Sequence, residues 1–226
     1  MKGFDSRWKD FRDYIYGVTK EIWEDRNITS LNHYYADDIH VRSPVSFEKG
    51  NQGVIGATMA TLNEFPDLNL SSEDVIWCDA SNGGMLSSHR LLSTATHLGD
   101  GVYGEATGKS VRYRISADCH AINNQINDEW LVRDQGAIVR QMGWDVKQFA
   151  SDLNEREGGS NACVKPIHPE TEEHWRYTGH GNDNAWGTKY AGILSDVMEA
   201  QLSAIPQEYD RGVTTFYPGG QELMCM

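Results

Sequence analysis

The chain has 226 residues, 23% of them charged and 39% apolar, so it is neither a disordered tail nor too short to bury a core. Its formal net charge of −13, with no basic stripe, argues against a nucleic-acid partner, because phosphate binding needs clustered Lys and Arg. No run of about 18 apolar residues exists, so neither a transmembrane helix nor a membrane partner is expected.

Trp8, Phe11, Ile15, Val18 and Ile22 recur at spacings of 3, 4, 3 and 4, one apolar stripe on a long helix. Tyr14 and Trp23 widen it. Ile28, Leu31 and Tyr35 predict a short second helix, Ile39 to Ser43 a strand, and Val54, Met59, Leu62 and Phe65 a further helix stopping before Pro66. Beyond Pro66 the period changes. Residues 68–79, 85–97, 110–123 and 128–139 are rich in β-branched and aromatic residues and are separated by turn-like breaks, including Asn123-Asn124-Gln125. Strands joined by short turns favour an antiparallel meander. A last helix is expected from Trp144 to Leu153.

The predicted class is therefore α+β: residues 1–153 as one domain, with helices packed on one face of a curved antiparallel sheet. Residues 154–186, rich in Gly, Pro and Asn, read as a linker. His168, His174 and His180 recur there every six residues, which suits neither a helix face nor a zinc pattern. Residues 187–226 read as an incomplete repeat of the helical half. Leu202, Ile205, Tyr209, Val213 and Pro218 reproduce the spacing of Ile28, Leu31, Tyr35, Ile39 and Pro44. Met1 to Trp8 lack the apolar run of a signal peptide. Cys78, Cys119, Cys163 and Cys225 follow no metal or disulfide spacing, so free thiols in a cytoplasmic protein are the expectation.

The segment Ile126-Asn127-Asp128-Glu129-Trp130-Leu131-Val132-Arg133-Asp134, followed by Arg140-Gln141-Met142-Gly143, resembles the SnoaL-like polyketide cyclase and ester cyclase branch of the nuclear-transport-factor-2-like superfamily. The resemblance covers roughly residues 10–145. It implies a cone-shaped α+β barrel with a deep pocket between sheet and helices, and a homodimer through the sheet. It also implies ring closure by an intramolecular aldol reaction without metal or organic cofactor, using an Asp with a nearby His fourteen residues earlier. His120 and Asp134 stand fourteen apart, so both roles carry over in residue type.

Alternation places Trp130, Val132 and Asp134 on one face of the last strand, and Arg112, Arg114, Ser116, Asp118 and His120 on one face of the strand before it. Such a polar face is either a solvated surface or a pocket wall. In a pocket, Asp134 would take a proton from a carbon next to a carbonyl and His120 would relay it; otherwise Asp134 simply pairs with an Arg. Trp130, Trp77 and Trp23 are candidate pocket walls. His89, which shares a face with His97, is a further pocket candidate, and His40 and Arg42 are candidate substrate contacts on the first strand. Asp118, Arg114 and Asp134 also supply the residue types of an Asp–Arg–Asp epoxide hydrolase. Two functions are thus expected: a cyclase, isomerase or hydrolase acting on a small apolar carbonyl compound, or a non-catalytic ligand-binding or dimerisation module of the same fold.

Overall fold

The computed structural model describes residues 1–80, 83–162, 185–200, 214–217, 219 and 221–224. Helix α1 spans Phe11–Thr19 and starts at Asp10, whose side chain accepts from the Asp13 N–H at 2.8 Å and so satisfies a first-turn donor. Its stripe of Phe11, Tyr14, Ile15 and Val18 is buried, and a π-helical turn over Lys20–Glu24 carries the stripe on to Ile22. The predicted second helix is a 3-10 turn, Ile28–Ser30, running into the one-turn α2, Leu31–Tyr34. Strand β1, Tyr35–Arg42, and the short β2, Phe47–Lys49, precede α3, Asn51–Glu64, which stops just before Pro66.

The meander then follows as β3 Asn69–Asp79, β4 Met85–Thr96, β5 Ser110–Ile122 and β6 Gln125–Arg133. The six-stranded curved sheet has the order β2-β1-β6-β5-β4-β3. All neighbours are antiparallel except β1 and β6, which run parallel. A two-residue turn joins β5 to β6. Asn123 and Asn124 both take positive φ, 52° and 65°, the left-handed pair that matches strand twist in a tight hairpin. That turn fixes the register: Ile122 faces Gln125, and after a bulge His120 faces Asp128.

Strand β6 ends at Arg133, six residues before the sequence reading expects. Asp134 caps α4, Gln135–Gln141, its side chain accepting from the Ala137 N–H at 3.0 Å. Ala137, Ile138 and Val139 are buried as a helix face rather than as strand residues. Helix α5, Val146–Arg156, is capped by Asp145 and runs past the expected end at Leu153.

Two apolar clusters hold the cone together. One joins α1, α2 and β1 to Val75, Met85, Cys119, Ala121 and Ile126. The other joins α4 to Phe65, Leu68, Leu91, Tyr103, Tyr113 and Ile115. Further on, α6, Ala185–Met198, exposes Trp186, Tyr190, Leu194 and Met198. A short antiparallel hairpin then pairs β7, Thr214–Tyr217, with β8, Gln221–Met224. The repeat positions Leu202, Ile205, Tyr209, Val213 and Pro218, and the linker histidines His168, His174 and His180, lie outside the described residues, as do Cys163 and Cys225.

Candidate active site

Residues of both clusters line one cavity of about 190 Å³ between the helices and the inner face of the sheet. Its wall is the apolar side of the meander: Tyr113, Ile115, Ala117 and Cys119 of β5, with Leu131 of β6 and Leu91 of β4. Polar side chains also line the cavity, among them Glu129, Arg133, His89, Tyr35 and Glu48. Trp23 and His89 both line this cavity.

Glu129 is the carboxyl whose proton affinity burial brings near neutrality. It is buried opposite Cys119, with which it pairs across β5 and β6. Loss of solvent pushes its carboxyl from 4.5 up to about 7; the Tyr35 hydroxyl, which donates to it, and the Arg133 cation oppose that rise. Tyr35 itself is raised well above 10 by burial. His89 is buried with its Nε2 2.8 Å from the Ser72 hydroxyl, and its ring meets that of Tyr16 edge-on. Burial lowers it to about 4, so it is a neutral imidazole at neutral pH.

The proposed Asp134–His120 pair is not brought together. The register puts His120 opposite Asp128, six residues from Asp134, whose own backbone N–H bonds to the Arg114 carbonyl. The two-residue Asn123-Asn124 turn sets this, whereas a fourteen-residue span would need the hairpin to turn further along. Asp134 does not line the cavity. Besides capping α4, its carboxylate accepts from the Gly219 N–H, at 2.7 and 2.8 Å to its two oxygens, while Arg140 Nη1 donates to the Gly219 carbonyl at 3.3 Å.

The face expected to be the pocket wall is the outer one. Asp118 is exposed there, and Arg114 is held by Glu73 through two 3.0 Å bonds. His120 is buried with its Nδ1 2.5 Å from Asn127 Oδ1. Trp77 and Trp130 line a second, more open groove of about 410 Å³ with Ile76, Asp118, His120 and Asp128. Arg42 is a buried cation that does not line the cavity. Its Nη1 lies 2.6 Å from Asp128 Oδ1, flanked by the rings of Phe47 and Trp130 at 5.5 and 5.4 Å. His40 sits beside it, 3.4 Å from Arg42 Nη2, and also lies outside the cavity. His97, the face-mate of His89, is buried in the second cluster with its Nε2 3.3 Å from Glu64 Oε1. Among the described residues no group of three or more His, Cys, Asp or Glu side chains could hold a metal ion.

Sequence reasoning overlooked Glu129 and Arg133, although the signal was present. Both alternate onto the sheet face that carries the apolar side of β5, where a charged residue needs a reason.

A cone of sheet and helices enclosing an apolar cavity with a few polar side chains defines a small-molecule site in an α+β barrel. Residues 14–142 match the family model described as SnoaL-like polyketide cyclase, and the chain belongs to this family. Among solved structures it is similar to IdmH, a candidate polyketide cyclase from Streptomyces antibioticus, with 18% identity, a TM-score of 0.50, and coverage of 58% of this chain and 96% of that one. It is likewise similar to a candidate polyketide cyclase from Acidithiobacillus ferrooxidans, with 19% identity, a TM-score of 0.51, and coverage of 60% and 96%. At these identities the likeness concerns the fold. No curated protein matches the chain.

Proposed function

We propose that the protein is a cofactor-independent cyclase of the SnoaL type, with Glu129 as its acid/base group. The observation that carries this is a buried carboxyl, in an apolar cavity, raised to about 7. A carboxylate poised near the working pH transfers protons in both directions. Glu129 takes the proton from a carbon next to a carbonyl. The resulting enolate carbon bonds to a second carbonyl carbon of the same molecule, and the alkoxide so formed takes the proton back from Glu129. Atoms and charge balance without a co-reactant. Tyr35 acts as a positioning residue, holding the Glu129 carboxylate through its hydroxyl, and Trp23 and Leu131 shape the apolar walls. The substrate is a small, mostly apolar carbonyl compound.

The outer sheet face, where Ile76 is 67%, Val132 51% and Trp77 45% exposed, is the surface proposed to pair with a second copy. The thiols of Cys78 and Cys119, unpaired among the described residues, fit a reducing, cytoplasmic setting.

The test needs no knowledge of the natural ring. Small ketones and ketoesters are incubated with protein in deuterated water, and deuterium uptake next to the carbonyl is followed by mass spectrometry. Wild type is expected to accelerate uptake, and Glu129→Gln to lose about 10²- to 10⁴-fold. Undiminished exchange in folded Glu129→Gln would remove Glu129 from the chemistry.

A further inference from the structure

We infer that the cavity takes a ligand bearing a carboxylate, and that Arg133 is the residue that binds it. A guanidinium presents five N–H donors in a rigid fork. Arg133 uses one of them in a side-chain bond, from Nη1 to Thr61 Oγ1, at a long 3.4 Å. Its Nε is buried without a partner. Of the arginines on the sheet, Arg42 meets Asp128, and Arg90 and Arg114 both meet Glu73. Arg112 and Arg133 form no salt bridge among the described residues, and Arg133 is the one of these five that lines the cavity.

Arg133 is half-buried, and its enclosed Nε–H is a donor of the kind that native structures rarely leave unmatched. Two acids line the cavity with it, Glu48 and Glu129, and Arg133 acts electrostatically on Glu129, but neither forms a salt bridge with it among the described residues; Glu129 is largely protonated below neutral pH, and the rest of the wall is mainly apolar, from Leu68 and Leu91 to Ile115 and Leu131. A planar carboxylate fits the fork with two parallel bonds, where a ketone or an ester carbonyl fills half of it.

The assignment also sets the ligand's length. Glu129 and Arg133 are four residues apart on one strand, about 13 Å between Cα atoms. Both side chains reach inward. A molecule anchored on Arg133 therefore spans to Glu129 across an apolar middle that lies over Leu131. Resting on the acid/base reading above, this narrows the substrate to a carbonyl compound with a free acid at the end remote from the reacting carbon. Arg133 is then a specificity-determining residue that orients the reacting carbon toward Glu129. The binding part stands without the chemistry.

The probes are hydrocinnamate and its neutral amide, which share a shape and differ in charge. Each is titrated into the full chain at pH about 6, with affinity read by calorimetry and by the fluorescence of Trp23 at the cavity wall. Wild type is expected to bind the acid at least tenfold more tightly than the amide. Arg133→Gln should lose that preference and Arg133→Lys should keep part of it. Arg112→Gln, on the outer face, should leave it intact. Equal binding of acid and amide by wild type overturns the inference, as does a preference that survives in Arg133→Gln. If Arg133→Gln does not fold, undiminished preference in Arg112→Gln together with a reduced one in Arg133→Lys supports the assignment, and an unreduced one in Arg133→Lys refutes it. Loss of deuterium exchange in Glu129→Gln with the acid preference intact, or the reverse, separates this inference from the catalytic reading.

Discussion

Replacing Glu129 by Gln is expected to stabilise the protein at alkaline pH while it abolishes proton transfer. In the unfolded chain the carboxyl titrates near 4.5; in the folded one burial holds it protonated up to about 7. Between those values the folded state binds the extra proton, so stability falls as pH rises through the window and levels off above it. A shift of about 2.5 units at ~1.36 kcal/mol each amounts to about 3 kcal/mol. The amide stays neutral and can still accept from Tyr35, so it escapes this loss. His89 acts with the opposite sign. Its folded value of about 4 lies below the ordinary 6.5, so its neutral form favours the fold at high pH, and that contribution is lost as pH falls from 6.5 toward 4. The two slopes oppose each other over most of the same range, and wild type should look nearly flat there. Urea denaturation of both proteins from pH about 5 to about 8 reads the difference. Glu129→Gln should match wild type near the acid end, lead it by about 3 kcal/mol at the other, and show the unmasked His89 slope between. Parallel curves at every pH would sink the account of Glu129 as a buried, neutral-leaning acid, and with it the basis for its chemistry.

Asp134 separates capping from catalysis. Asn caps a helix about as well as Asp, so Asp134→Asn should keep stability and turnover, whereas Asp134→Ala should cost about 1 kcal/mol in urea denaturation. Lost deuterium exchange in a folded Asp134→Asn would return the acid/base role to that residue. Asp128→Ala leaves the Arg42 cation buried beside the rings of Phe47 and Trp130 and should cost about 3–5 kcal/mol, measured as a drop in the urea midpoint. A loss under about 1 kcal/mol would mean that Arg42 finds another acceptor.

The helices and the meander were legible because their periods are local. A stripe at 3.6 and runs at 2 declare themselves within a dozen residues, and Pro66 marks where one gives way to the other. The last strand was read too long because Ala137, Ile138 and Val139 suit a strand as well as a helix, and the decision lies in one cap, Asp134. Fourteen residues between His120 and Asp134 match the resemblance, but Asn123 and Asn124 close the hairpin early and set His120 against Asp128. The polar face of β5, which alternation leaves as either a solvated surface or a pocket wall, lies outside the cavity. In a cone whose inner face is mostly apolar, the telling residues are the few charges that break that apolar pattern, Glu129 and Arg133. The parallel pairing of β1 with β6 has no local trace, since it joins strands from opposite ends of the domain.

That pairing governs the order in which the cone can form. Arg42 and Asp128 are separated by 86 residues, so the seam they close belongs to the slow, high-contact-order part of the fold. The β3–β6 hairpins can zip from neighbour to neighbour, and α1 can wind on its own stripe. Strand β1 has no permanent sheet partner except the short β2 until β6 exists. A nascent chain that has not yet delivered residues 125–133 therefore holds β1 with one bare edge and the Arg42 cation without its anion. The last strand brings Glu129 and Arg133 into the cavity and also seals β1 into the sheet, so the pocket acquires its charges at the same step in which the cone closes.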